Sequence, residues 1–326
     1  MAGFTEKLLA ENDIKEAVII QNFAKVVKGS AVRMSAAQAE LLKKDPRVKY
    51  IEQDQIASIS MGGPPGGGGD PTQTTPWGVT RVGGAIDGSN SGRAWIIDSG
   101  IDQDHPDLNV NTSLSISFLS GGGGSDSPDD QNGHGTHVAG TIAALDNNIG
   151  VVGVAAGAEV VAVRVLDRRG SGSLSGVVAG VDYVGANASN GDVANMSLGS
   201  SGSTTVDNAV ISASSTCPFV VAAGNDSANA NNYSPARANG NNIYTISSMA
   251  QGDVWSYFSN YGNPPVDYCA PGSSILSTYK DGNYATLSGT SMASPHVAGI
   301  VLIGGITSDG VVSGDPDGDP DSIAHH

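Results

Sequence analysis

Three short stretches carry residue types that together can cleave an acyl bond. In Gly289-Thr290-Ser291-Met292-Ala293-Ser294-Pro295-His296-Val297-Ala298-Gly299, Ser291 opens an apolar run of small residues. A serine at the start of a helix sits among unpaired N–H groups and the positive end of the dipole, which favour developing negative charge. Its hydroxyl is a weak nucleophile and needs a base, and the base needs a group to orient it. Gly133-His134-Gly135-Thr136-His137 offers an imidazole in His134, and Ile96-Ile97-Asp98-Ser99-Gly100 offers a carboxylate in Asp98. Each residue alone reads more simply, since a lone Asp at a strand end or a lone Ser before a helix is usually a cap. Three extended motifs together outweigh that reading.

The elements that must position these groups are legible as hydrophobic runs. Trp95-Ile96-Ile97, Val160 to Val165, Val193 to Leu198 and Phe219 to Ala223 are continuous apolar stretches bounded by polar residues or glycine. Such runs suit strands buried on both faces of a parallel sheet. Helical segments between them, after His134 and from Gly176 to Ala188, predict a doubly wound α/β domain. Asp98 and Asn225 fall just beyond the carboxyl ends of two of these strands, where open α/β sheets bind their ligands.

The chain order Asp98, His134, Ser291, with these flanking residues, closely resembles the subtilisin-like serine proteases. The resemblance runs from about Ala17 to about Gly305. It implies that Ser291 attacks a peptide carbonyl, His134 moves the proton and Asp98 holds the imidazole. It also assigns the amide of Asn225, in Ala222-Ala223-Gly224-Asn225, and the Ser291 N–H to an oxyanion hole; a turn asparagine is the plainer alternative. By the same resemblance Gly170-Ser171-Gly172 and Ser197-Leu198-Gly199 are edge segments that pair with an extended substrate, with Ala222, Ala223 and Gly224 completing an apolar primary pocket. Broad specificity with a preference for large apolar or aromatic residues follows. Calcium is the implied cofactor, held by carbonyls of Leu145, Ile149 and Val151, the amide oxygen of Asn147, the carboxylate of Asp107 and the side chain of Gln73. Oxygen ligands of this kind are what calcium takes. Asp267 and the group Asp126, Asp129, Asp130 are weaker candidates for further metal.

Composition divides the chain. Residues 1–60 hold nine Lys/Arg against eight Asp/Glu and two of the 45 glycines, leaving seven against 24 for the remainder, a balance of +1 and −17 that sums to the formal −16. We therefore place a small α+β domain at 1–60, a flexible Gly/Pro linker at 61–71 and the catalytic domain at 72–326. In the small domain Thr5–Leu9 is helical, residues 17–20 and 48–51 are expected strands, and Ser35 caps a helix running to Lys44. It resembles the ferredoxin-like inhibitory pro-domain of subtilases with its first strand lacking. That resemblance implies a zymogen that inhibits itself and cuts near Ser60–Met61.

The net charge argues against nucleic acid and anionic membranes as partners. Protein or peptide substrates and the pro-domain itself are the expected partners of a monomer. No secretory signal stands at Met1-Ala2-Gly3-Phe4, and a secreted protein is expected from the resemblance alone. Cys217 and Cys269 read as buried thiols or as one disulfide. His137 and His296 read as packing residues, His325 and His326 as tail, and Arg168 and Arg169 as a solvated loop. The acidic stretch from Gly314 to Asp321 stands where the family continues into further helices. Two rival readings are a proteolytically silent scaffold of the same fold and an α/β-hydrolase esterase. The esterase would want Gly-x-Ser-x-Gly, and Ser291 lies in Gly-Thr-Ser-Met-Ala.

Overall fold

The structure, a computed structural model, describes residues 2–59, 66–67, 72–119 and 127–326. Strand Ala94–Asp98 lies between Glu159–Arg164 on one side and Val193–Met196 on the other, parallel to both. Beyond Val193–Met196 follow Phe219–Ala222, Ile243–Ala250 and Val266–Pro271, each parallel to the one before. The chain thus leaves Ala94–Asp98 in one direction and returns to continue in the other. This reversal opens a crevice at the carboxyl ends of Ala94–Asp98 and Val193–Met196.

Period-two alternation sorts the apolar side chains of these strands between two cores. Ile96, Val160, Val220 and Ile246 face Val138 and Ile142 of helix His134–Ala143 and Val297 and Ile300 of helix Thr290–Leu302. Trp95, Ile97, Val161, Val163 and Phe219 face helices Leu174–Asn187 and Thr204–Ala213 on the opposite side. Burial on both faces is why the strands read as unbroken apolar runs. The predicted doubly wound domain is the observed one.

After Leu302 the chain forms strands Thr307–Val311 and Ser322–His325. The latter extends the sheet parallel to Val266–Pro271 and buries Ile323 and Ala324. The end of the sheet is closed here by a strand rather than a helix.

The small domain consists of helix Ala2–Glu11, the antiparallel pair Val18–Phe23 and Gly29–Arg33, and helix Ala36–Leu42. Ser35 and Gln38 form a reciprocal capping box at the start of that second helix. The expected strand at 48–51 is not formed. Val48 and Ile51 do pack on the core of Leu8, Leu9, Ile14 and Leu42, but their backbone has no ladder partner. Their apolar side chains satisfy burial alone, and a strand needs a paired backbone as well. The expected linker at 61–71 lies outside the described residues except for Gly66–Gly67. That pair is a strand, antiparallel to Asn283–Leu287.

Carboxylates fasten the small domain to the large one. Glu52 Oε2 accepts from the Thr205 N–H and hydroxyl at 3.0 and 2.9 Å, in the first turn of helix Thr204–Ala213. Asp54 does the same for the Ser175 N–H and hydroxyl at 3.0 and 2.6 Å, in the first turn of helix Leu174–Asn187. In return Asp182 Oδ1 accepts the N–H groups of Lys25 and Val26, each at 2.8 Å. Charged acceptors at helix N-termini satisfy orphan donors and the dipole together.

Candidate active site

Asp98 ends its strand fully buried, its carbonyl fixed by the N–H groups of Val165 and Leu166 and its Oδ1 by the Ser99 N–H. His134 opens the helix His134–Ala143, and its Nδ1 lies 2.8 Å from Asp98 Oδ1 and 3.0 Å from Oδ2. An ionised carboxylate only accepts, so Nδ1 carries the proton and Nε2 keeps the lone pair. Nε2 is buried with no hydrogen-bond partner among the described residues. A base with its lone pair uncommitted is the group a serine proton transfer needs.

Ser291 is the second residue of helix Thr290–Leu302 and nearly buried. Its Oγ donates to the Ser197 carbonyl at 3.2 Å, so the hydroxyl is turned to Ser197 and is not bonded to His134. Serine rotates about one torsion, and catalytic hydrogen bonds commonly form only when substrate arrives. Ser197 Oγ in turn donates to the Ser291 carbonyl and meets Ser294 Oγ, each at 2.9 Å, locking the helix to the strand end.

Asn225 follows strand Phe219–Ala222. Its Oδ1 accepts from Thr290 N–H at 2.8 Å and from Thr290 Oγ1 at 3.0 Å. With the oxygen committed, the amide's NH₂ is the end turned away from Thr290. Sequence reasoning missed the residue that shapes this loop, Asn260. Fully buried, it donates to the Ala223 carbonyl and accepts from the N–H groups of Asp226 and Ala228. Gly224 crosses it at φ +107°, where an added Cβ would lie 2.3 Å from Asn260 Nδ2. No local pattern announces Asn260.

Asp130 was also missed in its actual role. Its Oδ1 accepts from Ser99 Oγ and the N–H groups of Asn132 and Gly133, each at 2.9 Å, and its Oδ2 accepts from the N–H and hydroxyl of Thr136. Protein donors thus meet both of its oxygens; Asp126 lies outside the described residues. An aspartate four residues before His134 is a readable N-terminal cap signal.

The expected substrate edges are filled by the chain itself. Ile56–Ser58 runs antiparallel to Ser171–Ser173, pairing Ser58 with Ser171 and Ala57 with Gly172. On its other side Ser58 exchanges two backbone bonds with Gly199, at 2.9 and 3.0 Å, and the Ile59 N–H donates to the Gly170 carbonyl at 3.0 Å. Gly170 has φ +73°, and a Cβ there would meet Ile59 Cγ1 at 2.4 Å. Ala57 is buried in the same apolar cluster as Leu166, Leu174 and Leu198. The side chain of Leu198 is therefore shared between core and peptide, while Ala222 and Ala223 are buried beside Gly224.

The six residues named for calcium come together. Asp107 is fully buried, and burial raises its pKa. Its Oδ1 accepts from Asn147 Nδ2 at 2.7 Å, its Oδ2 from the Val151 N–H at 3.1 Å, and its carbonyl from the Leu145 N–H. Gln73 Nε2 donates to the Leu145 carbonyl at 2.9 Å, and the Ile149 N–H donates to Asn147 Oδ1 at 2.7 Å. A buried carboxylate that is part of no ion pair among the described residues, with the Asn147 amide bonded to it and the Gln73 amide on the Leu145 carbonyl, both able to turn end for end, offers oxygens of the kind a hard cation takes. Asp267 instead accepts the Thr245 N–H at 2.8 Å.

His137 and His296 are structural, as their surroundings predict. His137 Nε2 faces the carbonyls of Ile275 and Ala285 at 3.0 and 3.1 Å, and His296 Nδ1 faces that of Met292 at 2.8 Å. Burial lowers their pKa values to about 3 and about 4. Both cysteines are free and buried, and burial pushes the Cys217 thiol up to about 12.

Residues 95–303 match the Subtilase family, and residues 4–60 match the family described as Peptidase inhibitor I9. The chain belongs to the subtilase family. It is similar to alkaline serine exoprotease A of Vibrio alginolyticus, with 43% identity over 290 residues covering 85% of this chain and 51% of that protein. It thus spans about half the length of that relative. Identity to a thermostable alkaline protease of Halalkalibacterium halodurans is 42%, over 83% of this chain and 70% of the relative. A crystal structure of a cold adapted subtilisin-like serine proteinase superposes with a TM-score of 0.60 at 41% identity, covering 70% of this chain and 83% of that one. The subtilase is thus joined in one chain to an I9 inhibitor domain. No helix among the described residues is long and apolar enough to cross a membrane.

Proposed function

We propose that this subtilase is a self-processing zymogen that cleaves peptide bonds through Asp98, His134 and Ser291. The observation that carries the reading is the strand Ile56–Ser58, continued by Ile59, clamped between Ser171–Ser173 and Gly199 as a substrate would be. Strand addition of this kind draws affinity from the backbone and specificity from pockets for alternate side chains. The next residue is Ser60, and the reading takes Ser60–Met61, which lies outside the described residues, as the bond that is cut.

Ser291 Oγ attacks the carbonyl carbon while His134 Nε2 takes its proton. Asp98, bonded to Nδ1–H, holds the tautomer and stabilises the imidazolium. The oxyanion forms against the Asn225 amide and the Ser291 N–H, which as a first-turn donor has no intrahelical partner. Collapse breaks the C–N bond, and His134 returns the proton to the departing amine. Water then enters, gives its proton to His134 and releases the acid, restoring Ser291.

The primary pocket, bounded by Ser197 to Gly199 and Ala222 to Gly224, takes large apolar side chains with broad tolerance. Calcium would be held by Gln73, Asp107, Leu145, Asn147, Ile149 and Val151, where its charge offsets the buried carboxylate and ties the loop after the His134 helix in place. The enzyme acts outside the cell as a monomer on proteins or peptides. Reaction with a fluorophosphonate tests the reading: wild type should label at Ser291, and Ser291→Ala should remain one uncut chain. An unlabelled wild type would favour the silent scaffold.

A further inference from the structure

The hairpin Ile275–Tyr279 and Asn283–Leu287 leads straight into Gly289-Thr290-Ser291, and its second strand has two edges. One pairs along its length with the first strand. Onto the other lies Gly66–Gly67 of this chain, antiparallel, with Gly66 opposite Thr286 and Gly67 opposite Ala285. Chain polarity gives this pairing a meaning. Strand Asn283–Leu287 runs towards Ser291, so its antiparallel partner runs away from it. Ile56–Ile59 enters the cleft from the opposite side, and seven residues further on the same chain is leaving along the hairpin. Seven residues reach at most about 24 Å, so the paired glycines lie within that distance of Ile59.

We propose that the outer edge of Asn283–Leu287 is an extended binding edge for the downstream half of a protein substrate, engaging the sixth and seventh residues after the cleaved bond. This rests on the protease reading and on cleavage at Ser60–Met61. In the uncut chain the occupant is Gly66–Gly67; afterwards it is an extended segment of the protein being cut.

Both strands of the hairpin are anchored by side-chain hydrogen bonds. Ser277 and Thr278 hydroxyls donate to the carbonyls of His137 and Thr136 at 2.8 and 2.7 Å, and His137 Nε2–H spans the Ile275 and Ala285 carbonyls. Tyr279 donates to the Asn132 carbonyl at 3.0 Å and Tyr284 to Asp107 Oδ2 at 3.2 Å. The strand offered to substrate is thus bolted to the helix that carries His134. Its recognition is of backbone, so it accepts many sequences and rejects proline at the paired positions.

The processed protease, freed of its first domain, is given two internally quenched peptides of its own sequence, residues 56–63 and 56–70. The longer should be cut about three- to tenfold faster in kcat/KM, the worth of one or two net hydrogen bonds, and proline in place of both Gly66 and Gly67 should erase the gain. Equal rates for the two unmodified peptides overturn the edge and leave the protease standing. Cleavage of neither overturns the protease reading and this site with it. A second measurement needs no catalysis. In the uncut Ser291→Ala chain, Gly66→Pro with Gly67→Pro should speed amide hydrogen exchange within residues 284–287, and unchanged protection there overturns the pairing.

Discussion

Ser99 Oγ donates to Asp130 Oδ1 at 2.9 Å, and through this bond the strand that ends in Asp98 is joined to the turn that begins the His134 helix. Ser99 also holds Asp98 Oδ1 through its own N–H, and its Oγ accepts from the Gly135 N–H. Asp130 therefore sets the distance between two side chains it does not touch. Asp130→Ala would strand five protein donors, three of them backbone N–H groups, in a buried place. The expected cost is about 2–4 kcal/mol of stability. Turnover should fall about 10- to 100-fold through misplacement of His134. Denaturant melts and kcat on one preparation check both, and a stability loss with unchanged kcat would confine Asp130 to folding.

Ser291→Ala or His134→Ala should lower turnover by about 10⁶, because the three groups act as a unit. Asn225→Ala should cost roughly 10²–10³, mainly in kcat. Thr290→Val removes one of the two donors to Asn225 Oδ1 and keeps the backbone one, so about tenfold in kcat is expected. A loss confined to KM in either oxyanion variant would assign Asn225 to substrate positioning.

The fold was legible because strands buried on both faces leave unbroken apolar runs such as Trp95-Ile96-Ile97, with helices His134–Ala143, Leu174–Asn187 and Thr204–Ala213 falling between the first of them. The stretches around Asp98, His134 and Ser291 stand out because small residues crowd their flanks, as in Gly135 against the Gly100 carbonyl or Gly133 against the Tyr279 ring. Asn260 left no such trace: its importance lies in three backbone partners met only after folding. Val48 to Ile51 misled because β-branched apolar residues also serve a coil pressed on a core. Gly66–Gly67 misled in the opposite sense. Its glycines describe a pliant chain, and the ladder that orders them is supplied by Ala285 and Thr286, far along the sequence.

Loss of the cation should expose the cost of burying Asp107. Saturating calcium at one hundred times Kd would stabilise the processed domain by about 2.7 kcal/mol, and a chelator should remove that increment. Asp107→Asn should abolish the calcium-dependent rise in Tm while costing less in its absence, since the amide buries no charge. Equal Tm with calcium and with chelator would dismiss the site.

Glu52 and Asp54 each satisfy two donors at a helix start in the catalytic domain. Removing a cap of this kind costs about 0.5–2 kcal/mol, so Glu52→Ala or Asp54→Ala in the excised first domain should weaken its inhibition of the processed protease about 3- to 30-fold. The two caps sit on different helices, so the effects should add. Inhibition constants for the single and double variants measure this. Unchanged values would leave the clamp at Ile56–Ile59 as the whole of the inhibitory contact.

Acid should unfold the protein through its buried imidazoles. His137 and His296 bond carbonyls through one nitrogen, which must therefore be the protonated one, and in His137 the other nitrogen is a buried acceptor with no hydrogen-bond partner among the described residues. Their folded pKa values of about 3 and about 4 lie below the 6.5 of an exposed histidine. Between these limits the unfolded chain binds more protons, so stability is intact above about pH 6.5 and falls as pH drops towards 4, by up to about 2.7 kcal/mol per pH unit for the two together. Asp267 and Asp321 act in the opposite sense, because burial raises their pKa values and the folded state then gains protons as pH falls below the raised values. Denaturant-derived stability measured from pH 7 to 4.5 should show the net decline. His296→Gln, whose amide can still donate to Met292, should flatten the slope by about half. An unchanged slope in that variant would mean that His296 is not held neutral in the folded protein.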